Sequence, residues 1–325
     1  MINPREALAT VADAALEVTV AGSFSKVGIT TRRWLGEWQP VTTDLTGRVV
    51  LLTGASSGLG RAAAVDLAAL GADLILVGRD AARLARVQQE ARDAGAGDVR
   101  TVRADLTRLA VARRLVDQVR ADFDRLDVLI HNAGALVHRY AETEDGFEQT
   151  YAAQVLAQHV ITTGLFPLLR ATPGSRVIVV SSGGMYAERL DVGTVQFTPD
   201  DYDGVRAYAR AKRAQVALTE QWAARFPDSG VVFHSMHPGW ADTPGVAESL
   251  PGFRKVTGPF LRTPDEGADT IVWLAAAAEP LASNGRFWLD RTPRNTVKVP
   301  WTKAEAGEAE RLWDQVVAQT GADPA

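Results

Sequence analysis

From residue 48 onward, short apolar runs alternate with longer segments in which apolar residues recur at helical spacing. The apolar runs lack polar alternation, as expected for parallel strands that are covered on both faces. We predict seven strands, at residues 49–52, 73–78, 99–104, 126–130, 176–180, 231–236 and 285–289. This alternation predicts an α/β fold with a doubly wound, mostly seven-stranded parallel sheet and helices on both faces.

The segments between the runs predict seven helices, at residues 61–70, 80–94, 108–123, 145–170, 205–226, 264–278 and 303–320. No linker interrupts the alternation, so the pattern favours one main domain. We place that domain at residues 48–325, including a C-terminal extension at about 291–325, and an N-terminal arm at residues 1–47.

The N-terminal arm allows two interpretations. Residues 4–20 are alanine-rich and suit a helix, and residues 23–38 interleave aromatic side chains with Lys26, Arg32 and Arg33. This mixture suits a helix lying among lipid headgroups, and it also suits an arm that packs its aromatic side chains on the main domain. Two glycines and two threonines weaken the helix. Packing is therefore favoured, and membrane contact through residues 1–47 is the lesser alternative.

Composition narrows the class of protein. Of the 325 residues, 46% are hydrophobic and 23% are charged, which is ordinary for a soluble globular protein. A net charge of −4 gives no support to nucleic-acid binding. The absence of cysteine excludes disulfides, thiolate catalysis and cysteine metal sites, and it fits a cytoplasmic protein. No metal is expected, because no metal-ligand pattern is formed by His131, His159, His234 and His237.

A glycine-rich turn follows the first strand. Gly54, Gly58 and Gly60 are spaced Gly-x3-Gly-x-Gly and precede a helix. Glycine lets a backbone turn tightly and approach another group closely, because it has no Cβ atom. The start of a helix presents unpaired N–H groups and a partial positive charge, which suit a phosphate. The turn thus predicts a dinucleotide pyrophosphate site, with an ordinary loop as an equal alternative.

The end of the second strand bears on which dinucleotide binds. An NAD site usually has Asp or Glu there for the ribose 2′-hydroxyl, whereas this chain has Gly78 and then Arg79. Arginine pairs with a 2′-phosphate through charged, forked hydrogen bonds. NADP(H) is therefore preferred over NAD(H), although the neighbouring Asp80 weakens the preference and a solvated Arg79 is the alternative.

Polar residues also follow the third and fourth strands. Asp105 comes directly after the third, and Asn132, Ala133 and Gly134 come after the fourth. Ligands in such sheets bind outside the carboxyl ends of the strands. Asp105 is a candidate to bind an adenine amine, with helix capping from Thr107 onward as an equal alternative. The other three are candidates to line the adenosine.

A serine, a tyrosine and a lysine suggest acid–base chemistry at the same edge. Ser181 and Ser182 end the fifth strand, and Tyr208 and Lys212 lie four residues apart near the start of the next helix. Residues at i and i+4 share one helical face. A nearby ammonium favours the phenolate and lowers the pKa of the tyrosine. Tyr208 is therefore a candidate acid or base, and a serine hydroxyl could hold the substrate oxygen.

In combination, these motifs resemble the short-chain dehydrogenase/reductase superfamily. The chain carries Thr53-Gly-x3-Gly-x-Gly60, Asn132-Ala-Gly134, Ser182, Tyr208-x3-Lys212 and Pro238-Gly-x3-Thr243 in the family's order, over about residues 48–290. Several further segments resemble one subgroup that also has an N-terminal arm, at residues 161–164, 179–185, 236–246 and 285–291. The resemblance implies a Rossmann-type fold and an NAD(P)-dependent oxidoreductase.

The resemblance also implies roles. Tyr208 would be the acid in carbonyl reduction and the base in alcohol oxidation. Lys212 would hold the nicotinamide ribose, and Ser182 would bind the substrate oxygen. The residues implied to bind the cofactor are Gly54, Ser56, Ser57, Gly58, Leu59, Gly60, Arg79, Asp105, Leu106, Asn132, Ala133, Gly134, Tyr208, Lys212, Pro238, Gly239, Trp240 and Thr243.

One position departs from the family pattern. The family's fourth catalytic residue is usually an asparagine in the helix after the fourth strand, and Gln154 aligns there. If that asparagine anchors a proton-relay water near Lys212, the longer side chain would misplace the water, and a shift of about 1 Å can cost on the order of 100-fold in rate. The alternative is that Gln154 fits with a rearranged relay.

Two segments border the expected substrate site: residues 183–207, and the residues that follow the sixth strand. Residues 183–207 contain Asp191, Asp200, Asp201 and Asp203, which suit a solvated loop better than a cation-selecting entrance. Aromatic and sulfur-containing side chains weakly suggest an apolar substrate, with core packing as the more common role: Met185, Tyr186, Trp240, Phe253 and Phe260.

We therefore predict an NADP(H)-dependent oxidoreductase acting on a small-molecule ketone, aldehyde or alcohol. The alternative is a cofactor-binding regulatory or scaffold protein with little turnover, favoured by Gln154 alone. The family resemblance also implies a homo-oligomer through the helices at 145–170 and 205–226, unless the arm or the C-terminal extension covers that surface.

Overall fold

The computed structural model describes residues 4–324 and is built on one eight-stranded sheet. The strands are β1 (Val49–Thr53), β2 (Asp73–Gly78), β3 (Val99–Arg103), β4 (Val128–His131), β5 (Arg176–Val180), β6 (Val232–Met236), β7 (Arg286–Leu289) and β8 (Thr292–Arg294). Their order is β3-β2-β1-β4-β5-β6-β7-β8, and all neighbours are parallel except β7 and β8. The predicted doubly wound parallel sheet is confirmed.

The eighth strand is a difference from the prediction. After β7 the chain reverses at Asp290 and Arg291, whose φ angles are 53° and 55°, and returns as three antiparallel residues. Such a short strand, with Pro293 at its centre, carries no apolar alternation. It is therefore invisible to a search for strand-like periodicity.

Apart from the 3₁₀ helix Gly183–Ala187, the described helices of five or more residues are α1 (Pro4–Val18), α2 (Val20–Phe24), α3 (Lys26–Leu35), α4 (Gly58–Ala69), α5 (Ala81–Ala94), α6 (Leu109–Asp122), α7 (Gln149–Ala171), α8 (Gly204–Arg225), α9 (Pro244–Ser249), α10 (Pro251–Thr257), α11 (Pro264–Ala276) and α12 (Glu308–Thr320). Most predicted helix ends lie within three residues of these bounds. The last helix starts at Glu308 instead of residue 303, because Gly307 adopts a left-handed conformation with φ of 82°.

Alternate residues of the strands pack on opposite faces of the sheet. Leu51 and Leu129 face the layer formed by α6, α7 and α8, whereas Val50, Leu52 and Ile130 face α4, α5 and α11. Both faces are thus buried, as the continuous apolar runs predicted. One helix, Gln149–Ala171, is long and apolar enough to cross a membrane, but 72% of the tested window is buried, so it is a core helix.

The strand order places a crevice at one edge of the sheet. β1 pairs with β2 on one side and with β4 on the other. The chain therefore winds outward in two directions from β1, and ligands in such sheets bind at this reversal, beyond the carboxyl ends of the strands. The segments after β1, β4, β5 and β6 all reach this crevice.

The N-terminal arm packs on the sheet domain, as favoured above. The ring of Phe24 is only 2% exposed. Trp38 lies under the guanidinium groups of Arg33 and Arg291, which are 5.9 and 4.7 Å from its ring centroid. Trp34 does not follow the prediction, because it is 68% exposed.

The C-terminal extension covers the two helices through which relatives would associate. On α12, Trp313 packs against Trp222 of α8 and His159 of α7, with ring centroids 5.2 Å apart in both cases. Tyr151 of α7 also donates a hydrogen bond to Gln319, at 2.9 Å. The extension therefore occupies this face of the molecule.

Candidate active site

The glycine turn after β1 is closely packed against the segment after β4. Gly54 and Gly58 have φ angles of 69° and 54°, which favour glycine. A Cβ atom on Gly54 would lie 2.8 Å from the Cα of Ala133, and one on Gly60 would lie 2.6 Å from Nδ2 of Asn132. Glycine is therefore needed at these positions because the loop after β1 and the loop after β4 approach each other too closely for a side chain.

Asn132 supports this turn. Its Nδ2 donates to the backbone oxygens of Thr53 and Gly54, both at 3.1 Å. The Thr53 hydroxyl accepts from the backbone N–H groups of Asn132 and Ala133, again at 3.1 Å. The side chain predicted to line the adenosine therefore holds β1 and β4 in register where the phosphates are expected.

The loop after β6 closes over the glycine turn. A Cβ atom on Gly58 would lie 3.3 Å from the side chain of Thr243. Thr243 caps α9 by accepting from the N–H of Val246 at 3.3 Å. The structure thus brings Pro238–Thr243 and the glycine turn to the same place, although they are far apart in the chain.

The ends of β2 and β3 carry two exposed arginines. Arg79 follows β2, and its guanidinium has no hydrogen-bond partner within residues 4–324. Arg103 ends β3 and donates from Nε to the backbone oxygen of Arg79, at 3.2 Å. Asp80 is occupied as the cap of α5, where it accepts from the N–H of Arg83 at 3.0 Å. This edge therefore carries two exposed guanidinium groups, and sequence reasoning missed the contribution of Arg103.

Asp105 lies at the same edge, where it forms a local turn. Its Oδ1 accepts from the N–H and the hydroxyl of Thr107, at 3.1 and 2.9 Å. The helix-capping alternative is not seen, because the helix begins at Leu109 with Arg108 as its N-cap, and the Asp105 side chain remains exposed. The neighbouring Leu106 is in the core, whereas Ser56 and Ser57 are partly exposed on the glycine turn. Leu59 packs on α11, since a Cβ atom on Gly267 would collide with it.

Ser182 and Tyr208 lie close together. The Ser182 oxygen accepts from the N–H of Gly184 at 3.2 Å. Burial raises the pKa of Tyr208, and the nearby Ser182 hydroxyl opposes this only in part. The predicted lowering of the Tyr208 pKa is therefore wrong for the protein by itself.

Lys212 lies beside Tyr208 and is also affected by burial. Its Nζ lies 5.4 Å from the centroid of the Tyr208 ring. Burial lowers the pKa of Lys212 to about 7, so the side chain is less fully charged at neutral pH than an exposed lysine. The lysine therefore provides less positive charge to stabilise a phenolate than an exposed lysine would. Lys212 donates to the backbone oxygen of Val180 at 2.9 Å and to Oε1 of Gln215 at 3.0 Å.

Gln154 reaches the same place from α7. It lies in a π-helical segment, Ala152–Leu156, and π-helical turns are frequent at functional sites. Its Nε2 donates to the backbone oxygen of Ala135 at 2.9 Å. Its Oε1 is buried and has no hydrogen-bond partner in the described structure. A Cβ atom on Gly134 would lie 3.0 Å from both this oxygen and Nζ of Lys212, so the two atoms face one small space.

The N-terminal arm contributes residues that the motifs did not reveal. A Cβ atom on Gly183 would lie 2.5 Å from the ring of Phe24, and the backbone oxygen of Phe24 accepts from the N–H of Trp240 at 2.7 Å. Arg262 donates to the backbone oxygens of Pro238 and Ser25, at 3.1 and 3.2 Å. The loop predicted to wrap the nicotinamide is therefore bonded to the arm.

Several other predicted features have local roles. Asp191, Asp201 and Asp203 accept from nearby backbone N–H groups, as expected for a solvated loop. Met185 and Tyr186 lie in a buried cluster with Phe24, so they are core residues. Trp240 packs against Phe253, with ring centroids 5.1 Å apart, and Phe260 is 55% exposed.

The four histidines named above, His131, His159, His234 and His237, lie inside the protein. They are buried, and burial lowers the pKa of His131 to about 3 and that of His159 to about 4. Nδ1 of His234 accepts from the N–H of Arg286, and its Nε2 donates to the backbone oxygen of Pro280. Nδ1 of His237 accepts from the N–H of Gly239. No group of three or more His, Cys, Asp or Glu residues among the described residues has the geometry of a metal site.

Comparison with known proteins places this arrangement in a family. Residues 48–252 match the family model described as short chain dehydrogenase. The chain belongs to the short-chain dehydrogenase family. It is accordingly an oxidoreductase that acts on CH–OH or C=O groups, with NAD(P) as its cofactor.

Two curated relatives illustrate the range of the family. Dehydrogenase/reductase SDR family member 12 of Homo sapiens is 41% identical over 272 residues, which cover 82% of this chain and 84% of the relative. The subgroup indicated by the sequence is thereby confirmed. A putative daunorubicin C-13 ketoreductase, DnrU of Streptomyces sp. (strain C5), is 37% identical over 279 residues, covering 85% and 94% of the two chains.

Solved proteins with a similar fold contain either nucleotide. A putative NAD(P)-dependent gluconate 5-dehydrogenase from Beutenbergia cavernae, with bound NADP, has a TM-score of 0.63 and 26% identity, covering 76% of this chain and 96% of its own. An NADH-dependent reductase, A1-R′, complexed with NAD, has a TM-score of 0.59 and 26% identity, covering 75% and 95%.

Proposed function

We propose that this protein is an NADPH-dependent carbonyl reductase that can also run as an alcohol dehydrogenase, with Tyr208 as its acid or base. The observation that carries the proposal is the proximity of Ser182 and Tyr208 beside Lys212, at the edge of the sheet where the glycine turn lies. The ketoreductase relative supports carbonyl chemistry.

The residues at this edge fit a dinucleotide. Gly54 and Gly58 have positive φ angles and form a tight turn before a helix, as a pyrophosphate site requires, and the unpaired Oε1 of Gln154 faces the space beside Lys212. Arg79 and Arg103 provide two exposed guanidinium groups where a 2′-phosphate is expected. An NAD site would place a carboxylate at the end of β2, but Gly78 and Arg79 stand there. The carboxylate of the next residue, Asp80, is occupied in capping α5.

The side chains support a simple division of labour. A bound nicotinamide supplies the hydride. The Ser182 hydroxyl hydrogen-bonds the carbonyl oxygen of the substrate, and Tyr208 donates its proton to that oxygen as it becomes an alcohol. A tyrosine with a raised pKa is protonated at neutral pH, so Tyr208 is prepared for reduction. Lys212 stays beside the phenol and stabilises the phenolate that remains.

The test is a comparison of binding and turnover. Purified protein should quench or enhance NADPH fluorescence on binding, and it should oxidise NADPH when supplied with ketones or aldehydes from a broad panel. Tyr208→Phe should lower kcat by about 10²- to 10⁴-fold while NADPH still binds. The half-buried Tyr140, which donates to Glu142, offers a matched control, because Tyr140→Phe should leave turnover unchanged.

A nucleotide-binding scaffold is the competing function, and Gln154 is the observation that favours it. NADPH binding without turnover across carbonyls and alcohols would reject the reductase. Gln154→Asn would then show whether this side chain is the cause, because turnover in that variant alone would mean that the acid–base residues are competent.

A further inference from the structure

Gln215, one helical turn beyond Lys212 on α8, uses every polar group of its buried amide. Its Oε1 accepts from Nζ of Lys212 at 3.0 Å. Its Nε2 donates to the backbone oxygen of Gln154 at 2.7 Å and to Oε1 of Gln158 at 2.9 Å. The amide can only be oriented this way, because an ammonium group donates and the two other partners accept.

This amide joins two elements that are far apart in sequence. Gln215 and Gln154 are 61 positions apart, and the accepting carbonyl lies in the π-helical segment of α7. Gln158 continues the contact, since its backbone oxygen accepts from the Thr162 hydroxyl, which bonds His131. Lys212 is thereby connected to α7 and to the end of β4 by protein groups alone.

We propose that Gln215 is a positioning residue for Lys212, holding its ammonium group toward Tyr208 and tying it to the π-helical segment of α7. The inference rests on the proposed function of this site. Because an amide neither gains nor loses a proton near neutral pH, the bridge orients Lys212 and does not carry protons away from it. The backbone carbonyl of Gln154, and not its side chain, is the part that this bridge uses.

The surroundings of Lys212 make Gln215 the group to change. Lys212 faces Tyr208 on α8, the backbone of Val180 on β5, and the backbone of Gly134 after β4. On α7 the facing groups are the amides of Gln154 and Gln158. None of these is a carboxylate, and burial keeps His131, beyond Gln158, neutral by lowering its pKa to about 3. Among the described side chains, Gln215 supplies the acceptor for the lysine.

Two substitutions of Gln215 should shift the pKa of Lys212 in opposite directions. Gln215→Leu removes an acceptor that favours the ammonium, so the pKa of Lys212 should fall from the value near 7 that burial produces. Gln215→Glu places a carboxylate beside it, so the pKa should rise by about 1–3 pH units. Gln89→Glu is the control. It adds the same charge on the exposed side of α5 and should leave the pKa of Lys212 unchanged.

The measurement is an NMR titration of protein with isotopically labelled lysine. The chain has only five lysines, Lys26, Lys212, Lys255, Lys298 and Lys303, so the resonance of Lys212 can be assigned by substitution. In parallel, the pH profile of NADPH oxidation should shift downward for Gln215→Leu and upward for Gln215→Glu. If Gln215→Leu does not fold, the direction of the Lys212 pKa shift in Gln215→Glu tests the inference by itself.

An unchanged Lys212 titration in folded Gln215→Glu would overturn the inference. The titration does not depend on turnover, so the two proposals fail separately. Absence of turnover in the unsubstituted protein would refute the proposed function. An unchanged Lys212 pKa would refute only the role of Gln215.

Discussion

Arg32, on the third helix of the arm, and Asp290, at the turn between β7 and β8, form a buried ion pair with Nη1 2.6 Å from Oδ2. The two residues are 258 positions apart in the chain. Asp290 also receives two hydrogen bonds from the buried Arg262, at 2.6 and 2.9 Å. Since Arg262 bonds the backbone of Pro238, one carboxylate connects the arm to the loop expected to hold the nicotinamide.

The first prediction concerns Asp290→Asn. Asparagine tolerates the left-handed backbone conformation at this turn, so the substitution mainly removes charge. The buried Arg262 would then lose its carboxylate partner, whereas Arg32 would keep Asp13 and Glu17. An unpaired buried guanidinium should lower the free energy of unfolding by about 3–5 kcal/mol. Urea denaturation measures this. Glu90→Gln, which breaks the exposed pair with Arg61, should cost less than about 1 kcal/mol. Equal effects of the two substitutions would show that the buried pair contributes nothing special.

The second prediction concerns Phe24→Ala. The ring fills the space beside Gly183 and packs 4.3 Å from the His237 ring, centroid to centroid. Its removal should lower stability by about 3–5 kcal/mol and raise the KM for NADPH several-fold, because the ring also packs edge-on against Trp240, with ring centroids 6.2 Å apart. Trp34→Ala, on the exposed side of the arm, is the control and should change neither quantity. A variant that is less stable but binds NADPH normally would show that the arm only stabilises the fold.

The third prediction concerns the choice of nucleotide. Charge-assisted hydrogen bonds contribute about 1.5–3 kcal/mol, so Arg79→Gln should weaken NADPH binding by about 10- to 150-fold and leave NADH binding nearly unchanged. Arg103→Gln should act in the same direction. Arg83→Gln, whose partner Asp80 caps α5, provides a control with the same loss of charge. Kd values for both nucleotides decide, and an equal loss for NADPH and NADH would exclude a 2′-phosphate contact.

The fourth prediction concerns pH. Burial, together with repulsion from Asp265 and Asp269, raises the pKa of Asp66 to about 6, compared with about 3.9 in an unfolded chain. Folding therefore favours the protonated acid, and this contribution is complete below about pH 4 and is lost as the pH rises through 6. Asp66→Asn should raise the free energy of unfolding at pH 7 by about 1–2 kcal/mol and have little effect at pH 4. Urea denaturation at both pH values provides the comparison, and an equal gain at both would contradict the assigned pKa.

Local patterns in the sequence determined the sheet, its flanking helices and the glycine turn. Continuous apolar runs need cover on both faces, and Gly54 and Gly58 need the positive φ angles that glycine allows. The order of Ser182, Tyr208 and Lys212 then indicated the family, because each follows a strand that ends at the same edge. These properties depend on spacing along the chain, so they can be recognised without a structure.

Only the tertiary structure determined which groups surround those residues. Gln215 is an ordinary helical glutamine until folding sets it between Lys212 and the Gln154 carbonyl. Phe24 and Arg32 carry no motif, and their contacts with Gly183 and Asp290 join opposite ends of the chain. The pKa of Tyr208 was mispredicted for the same reason, because burial is a property of packing. Spacing places chemical groups at one edge, whereas packing sets their charge, orientation and partners.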